Sequence, residues 1–75
     1  MVQIRLKQDN QEARLQLFDH TNSEGGSVWY KIFDNNHNLV TEGNLPVDAE
    51  FTSTFDGTEI AMANLICEYL GLTII

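Results

Sequence analysis

An α+β fold is predicted for this chain of 75 residues: two β-hairpins forming a mainly antiparallel sheet of four or five strands, packed against one C-terminal α-helix. Three observations predict it. Apolar and polar residues alternate in short stretches before residue 46. Polar, turn-forming clusters separate those stretches. From residue 57 the apolar spacing becomes that of a helix, which Gly71 is placed to end.

The first strand is Val2, Ile4 and Leu6 alternating with Gln3, Arg5 and Lys7. Ala13, Leu15 and Leu17 alternate in the same way with Arg14 and Gln16, and Gln8–Gln11 reads as the turn between the two runs. A tight turn at Asp9-Asn10 pairs Leu6 with Ala13, Ile4 with Leu15 and Val2 with Leu17, which gathers the apolar residues on one face. On the other face it sets Lys7 against Glu12 and Arg5 against Arg14, and the second of these pairs is repulsive. This gives a first hairpin over residues 2–18. The polar, glycine-containing stretch 21–27 is expected to be a loop.

Residues Val28–Phe33 are dense in aromatic and β-branched side chains and make the clearest strand. Trp29, Lys31 and Phe33 share one face, with Tyr30 and Ile32 on the other. A sheet covered on one side does not require both faces of a strand to be apolar. One face is therefore expected under the helix, and the other is a candidate contact surface. Asn35–Asn38 forms the turn and Leu39–Glu42 the returning strand, completing a second hairpin over 28–45. A four-residue loop would set Lys31 against Glu42, and a three-residue loop would shift that pair. Pro46 ends the fourth strand or confines it to an edge.

Residues 47–55 fit either a fifth strand or a short helical turn. Asp56 with Glu59 three positions on matches a capping box that opens the helix 57–70. Its apolar arc runs from Leu65 through Tyr69 round to Ile60, roughly 220° at 100° per residue. A single sheet typically covers little more than 100°. The excess must be covered by the tail Leu72–Ile75, by residues 47–55 or by a second chain. The buried positions are expected to include Ile4, Leu6, Leu15, Leu17, Ile32, Ile60, Ala63, Ile66, Cys67 and Leu70.

Residues 1–75 have room for a single domain. A chain of this size buries about 60% of the surface it exposes when unfolded, so its core is marginal. Cys67 is the only cysteine, which leaves no internal disulfide. It lies in an apolar run and reads as a small buried hydrophobe. No signal-peptide pattern and no membrane-length apolar run is present, so the expected setting is a soluble, cytoplasmic one.

The formal net charge is −7 and lies wholly in residues 32–75, which hold seven acids and no Lys or Arg. Residues 1–31 balance Arg5, Lys7, Arg14 and Lys31 against four acids. Direct nucleic-acid binding by the acidic half is disfavoured, because it needs clustered cations.

Asp34, Asn36 and Asn38 are spaced like the opening of a calcium loop. Leu39 and Leu45, however, stand where that loop needs glycine and glutamate, so turn chemistry explains the stretch better. Asp19, His20 and Ser23 lack an oxyanion element and a serine elbow. His20 and His37 lack cysteine partners for zinc. Gly25-Gly26 is not part of a phosphate-binding motif. No catalytic residue, cofactor or metal ligand is expected.

The function expected is that of a small acidic, non-enzymatic protein-binding module. One specific form is an inhibitor whose acidic C-terminal half blocks a basic, nucleic-acid-binding surface on another protein. The alternative is a structural or assembly subunit that homodimerises through its apolar helix. Candidate contact residues are Trp29, Phe33, Glu42, Asp48, Glu50, Asp56 and Tyr69.

Overall fold

The computed structural model describes residues 1–6 and 11–75. It shows the predicted α+β architecture: strands β1 (Val2–Arg5), β2 (Glu12–Asn22), β3 (Gly25–Phe33), β4 (Leu39–Asp48) and β5 (Thr73–Ile74), with helices α1 (Ala49–Thr54) and α2 (Glu59–Leu70) between β4 and β5. The five strands form one antiparallel sheet in the order β4-β3-β2-β1-β5. The first four are a meander. The chain then crosses one face of the sheet as α1 and α2, and returns as β5 beside β1.

Period-two alternation decides which residues meet the helices. Ile4, Ala13, Leu15, Val28, Tyr30 and Ile32 point inward and are buried against Met62, Ala63, Ile66 and Cys67 of α2. Tyr30 fits because its neighbour on β4 is glycine. A Cβ on Gly43 would lie 2.7 Å from the Tyr30 hydroxyl oxygen.

The first hairpin differs from expectation in register. Ile4 pairs with Ala13 and Val2 with Leu15, two residues away from the predicted pairing. A shift of two keeps every side chain on its face, so the apolar pattern could not distinguish the two registers. The charges do distinguish them. Arg5 now faces Glu12, with Nη2 to Oε1 at 3.8 Å, and Arg14 faces Gln3. The predicted Arg5–Arg14 repulsion is thereby removed. The predicted turn at Asp9-Asn10 and the partner role of Lys7 lie outside the described residues.

Residues 21–27 are not a loop. β2 runs on to Asn22, the chain reverses at Ser23-Glu24, and β3 begins at Gly25. The Asn22 side-chain oxygen accepts from the Glu24 amide at 2.8 Å, which closes the turn. Gly25 and Gly26 hold φ of +123° and +115°, conformations closed to most L-residues. The glycine pair therefore serves the backbone.

In the second hairpin Lys31 does face Glu42, and a bulge between Ile32 and Phe33 pairs Phe33 with Leu39. Asp34 Oδ1 accepts from the amides of Asn36 and Asn38 at 2.8 and 2.9 Å, so this segment is a hairpin turn. Pro46 sits within β4, the edge strand, where its missing N–H leaves no gap in a ladder.

Of the two readings of residues 47–55, the helical one holds. The Asp48 carboxylate caps α1 by accepting from the Phe51 amide at 2.9 Å. The α2 cap is Thr58, not Asp56, and the helix opens at Glu59. Asp56 instead holds the cap, its carboxylate accepting from the Thr58 amide at 3.0 Å and the Thr58 hydroxyl at 2.7 Å. Gly71 closes α2 in the left-handed conformation, φ 73°.

The buried side of α2, from Met62 through Ile66 and Ala63 to Cys67, spans roughly 140°. Leu72, Ile74 and Phe55 pack against the same core. Ile60, expected to be buried, is 54% exposed at one flank, and Tyr69 is 60% exposed at the other. Leu6, Leu17 and Leu70 are half-buried. Among the described residues, no helix is long and apolar enough to cross a membrane.

Candidate functional site

The helices cover one face of the sheet and leave the other open. Alternation fixes what stands there. With Ala13, Leu15 and Leu17 inward on β2, Arg14, Gln16, Phe18 and His20 face outward. With Val28, Tyr30 and Ile32 inward on β3, Trp29, Lys31 and Phe33 face outward. Register then aligns them in cross-strand rows: Arg14 beside Phe33, Gln16 beside Lys31 and Glu42, and Phe18 beside Trp29 and Asn44.

Trp29 is the centre of this face and is 45% exposed. Its ring is held on two sides. The indole Nε1 donates to Ser27 Oγ at 2.8 Å. His20 packs edge-on against it, with ring centroids 5.6 Å apart and planes at 67°. The Lys31 ammonium lies 5.8 Å from the Phe18 ring centroid, in cation–π range. Between these groups runs a groove of about 340 Å³ lined by Phe18, Trp29, Tyr30, Lys31, Glu42 and Gly43. It is an apolar slot with one cation and one carboxylate on its walls. The indole on its wall is already oriented.

The seven predicted contact residues do not form one site. Trp29, Phe33 and Glu42 share the open face. Asp48, Glu50 and Asp56 flank α1 or lie in it, and Tyr69 is on α2. Asp48 is engaged in capping α1, and Asp56 in holding the α2 cap Thr58. The Thr58 hydroxyl and amide hold the Asp56 carboxyl below its ordinary range.

Phe18, Arg14 and Lys31 complete the face and were absent from the sequence-based selection. The signal was present: continuing the β2 alternation one step past Leu17 turns Phe18 outward. Placing the end of the strand at residue 18 concealed it.

Asp19 serves its own turn. It accepts from the amide and hydroxyl of Thr21, which hold its carboxyl below the ordinary range. Among the described residues, no three His, Cys, Asp or Glu side chains converge to hold a metal ion. Burial pushes the Cys67 thiol above its ordinary range.

Comparison with protein-family models, with curated proteins and with solved structures gives no match to this chain. The functional reading therefore rests on its own residues.

Proposed function

We propose that this chain is a small, non-enzymatic protein-binding module whose contact surface is the open face of its sheet, centred on Trp29. The observation that carries the reading is a pre-oriented tryptophan left 45% exposed between Phe18 and Lys31, on a face that neither helix covers. Leaving a large apolar ring in water costs about 1.5–3 kcal/mol relative to burying it. Tryptophan, tyrosine and arginine are the residues that most often dominate binding energy at protein interfaces.

The test is differential capture. Wild type, Trp29→Glu and Tyr69→Glu, each confirmed folded by circular dichroism, are used as bait. A partner retained by wild type and Tyr69→Glu but lost by Trp29→Glu supports the open face. A partner lost only with Tyr69→Glu places the contact on α2 and contradicts it.

A second reading is favoured by one further observation. Every described Lys or Arg (Arg5, Arg14 and Lys31) stands on the open face, so the helical layer carries Asp48, Glu50, Asp56, Glu59 and Glu68 with no cation among them. Such a layer suits a basic partner surface, as in an inhibitor that covers a nucleic-acid-binding patch. Glu50→Lys with Glu68→Lys should then slow association at low salt, with the effect fading as salt rises. These two are chosen because Asp48 caps α1 and Asp56 holds the α2 cap Thr58. Unchanged on-rates at low salt would remove this reading.

A further inference from the structure

We infer that the open sheet face is occupied by the same face of a second copy of this chain, giving a two-fold dimer with the sheets packed inside and the helices outside. The inference rests on the proposal that this face is the binding surface, and it names the partner.

Charge selects the mode of association. The chain carries −7, so most approaches of two copies set carboxylates against carboxylates. The open face is the exception among the described residues: Arg5, Arg14 and Lys31 stand there against Glu12 and Glu42. A dimer built on α2 would instead join two layers that hold only acids, which disfavours the helix-mediated homodimer expected from the apolar arc.

Symmetry adds a second argument. A two-fold interface is isologous and must complement itself. Lys31 and Glu42 face each other on neighbouring strands, yet no ion pair within 4.0 Å joins them in the single chain. A two-fold axis parallel to the strands, between β3 and β4, sets each Lys31 against the Glu42 of the other copy. That axis lays β3 of each copy over β4 of the other, so Trp29 and Phe33 flank the exchanged ion pairs and Phe18 and Arg14 of β2 lie at the margin.

The contact is a strip of two strands per copy, below the standard interface size and in keeping with a weak dimer. Two such sheets stack about 10 Å apart, as in a sandwich.

The experiment is sedimentation of the intact chain with four variants: Trp29→Glu, Tyr69→Glu, Lys31→Glu and Glu42→Lys. Wild type and Tyr69→Glu are expected to dimerise with a micromolar constant, and Trp29→Glu to stay monomeric. Lys31→Glu alone and Glu42→Lys alone should each dimerise about tenfold or more weakly, as expected when like charges meet across an interface. Their equimolar mixture should recover dimers, because the acidic and basic faces then complement each other.

A wild type that stays monomeric into the high-micromolar range overturns the inference. So does a dimer lost with Tyr69→Glu but kept with Trp29→Glu. If Trp29→Glu does not fold, failure of the mixture to recover dimers overturns it. A monomer that captures another protein through Trp29 ends this inference and leaves the proposed function standing. A monomer whose captures ignore Trp29 ends both.

Discussion

Trp29 illustrates how little freedom a residue on this sheet has. Its neighbours in the chain, Val28 and Tyr30, are buried, so alternation alone turns the indole outward. Two glycines at the start of the same strand are bound as tightly by geometry. A Cβ on Gly25 would lie 2.7 Å from the Val47 carbonyl oxygen, and φ is already +123°. Gly25→Ala should therefore lower stability by about 2 kcal/mol or more, since strain and overpacking act together. Urea unfolding should show a lower midpoint with an unchanged slope.

Two surface carboxylates give a second residue-scale prediction. Hydrogen bonds to the Asn38 amide hold Asp34 below its ordinary 3.8, and those from Thr58 do the same for Asp56. A depressed native value means that the ionised form is the one stabilised in the fold. The contribution is thus present above pH 3.8 and lost as pH falls through the native values. Asp34→Ala and Asp56→Ala should flatten the fall in stability below pH 4, which a series of thermal melts from pH 6 to pH 2 would record. An equally steep fall in both variants would contradict these assignments.

At the scale of elements, parts of this fold were legible because local chemistry determines them. Gly71 ends α2, and the aromatic and β-branched run Val28–Phe33 lies in a strand. Other parts were hidden for physical reasons. A strand register shifted by two residues leaves the apolar face unchanged, so only the Arg5–Glu12 pairing reveals it. The polar stretch 21–27 reads as loop by composition, yet Thr21 and Asn22 pair with Gly26 and Gly25 along the ladder. At the start of α2, Asp56 and Thr58 both offer capping oxygens, and the structure uses them in series. Ile60 obeys the helical period but lies in the first turn at the flank of the buried stripe. The open face was half legible: Trp29, Phe33 and Glu42 were found, but Phe18 was missed with the end of β2. The role of β5 can be tested directly. It pairs with β1 through Ile4 and Ile74, and Leu72 and Ile74 pack on the core. Deleting residues 72–75 should cost about 1–3 kcal/mol, since Leu72 and Ile74 are half-buried. A truncated chain with an unchanged melting temperature would show that β5 is dispensable.

For the whole molecule, the charge asymmetry of the sequence becomes a division between two faces. The described cations gather with the aromatics on the sheet, and the helical layer keeps only acids. Packing two sheets together would cover Trp29 and Lys31 and display the helical acids on both sides of the dimer. It would also add stability through mass action to a domain whose core is small. Because Trp29 is the only tryptophan, its fluorescence reports on this face alone. The most direct measurement is the emission spectrum of the intact chain over a dilution series from high micromolar to nanomolar, beside Lys31→Glu. If the face is covered by a second copy, wild-type emission lies to the blue at high concentration and moves to the red on dilution. In Lys31→Glu that transition shifts to higher concentration. A wild-type spectrum that stays at one solvent-exposed wavelength over the whole series, identical to that of Lys31→Glu, would contradict the account.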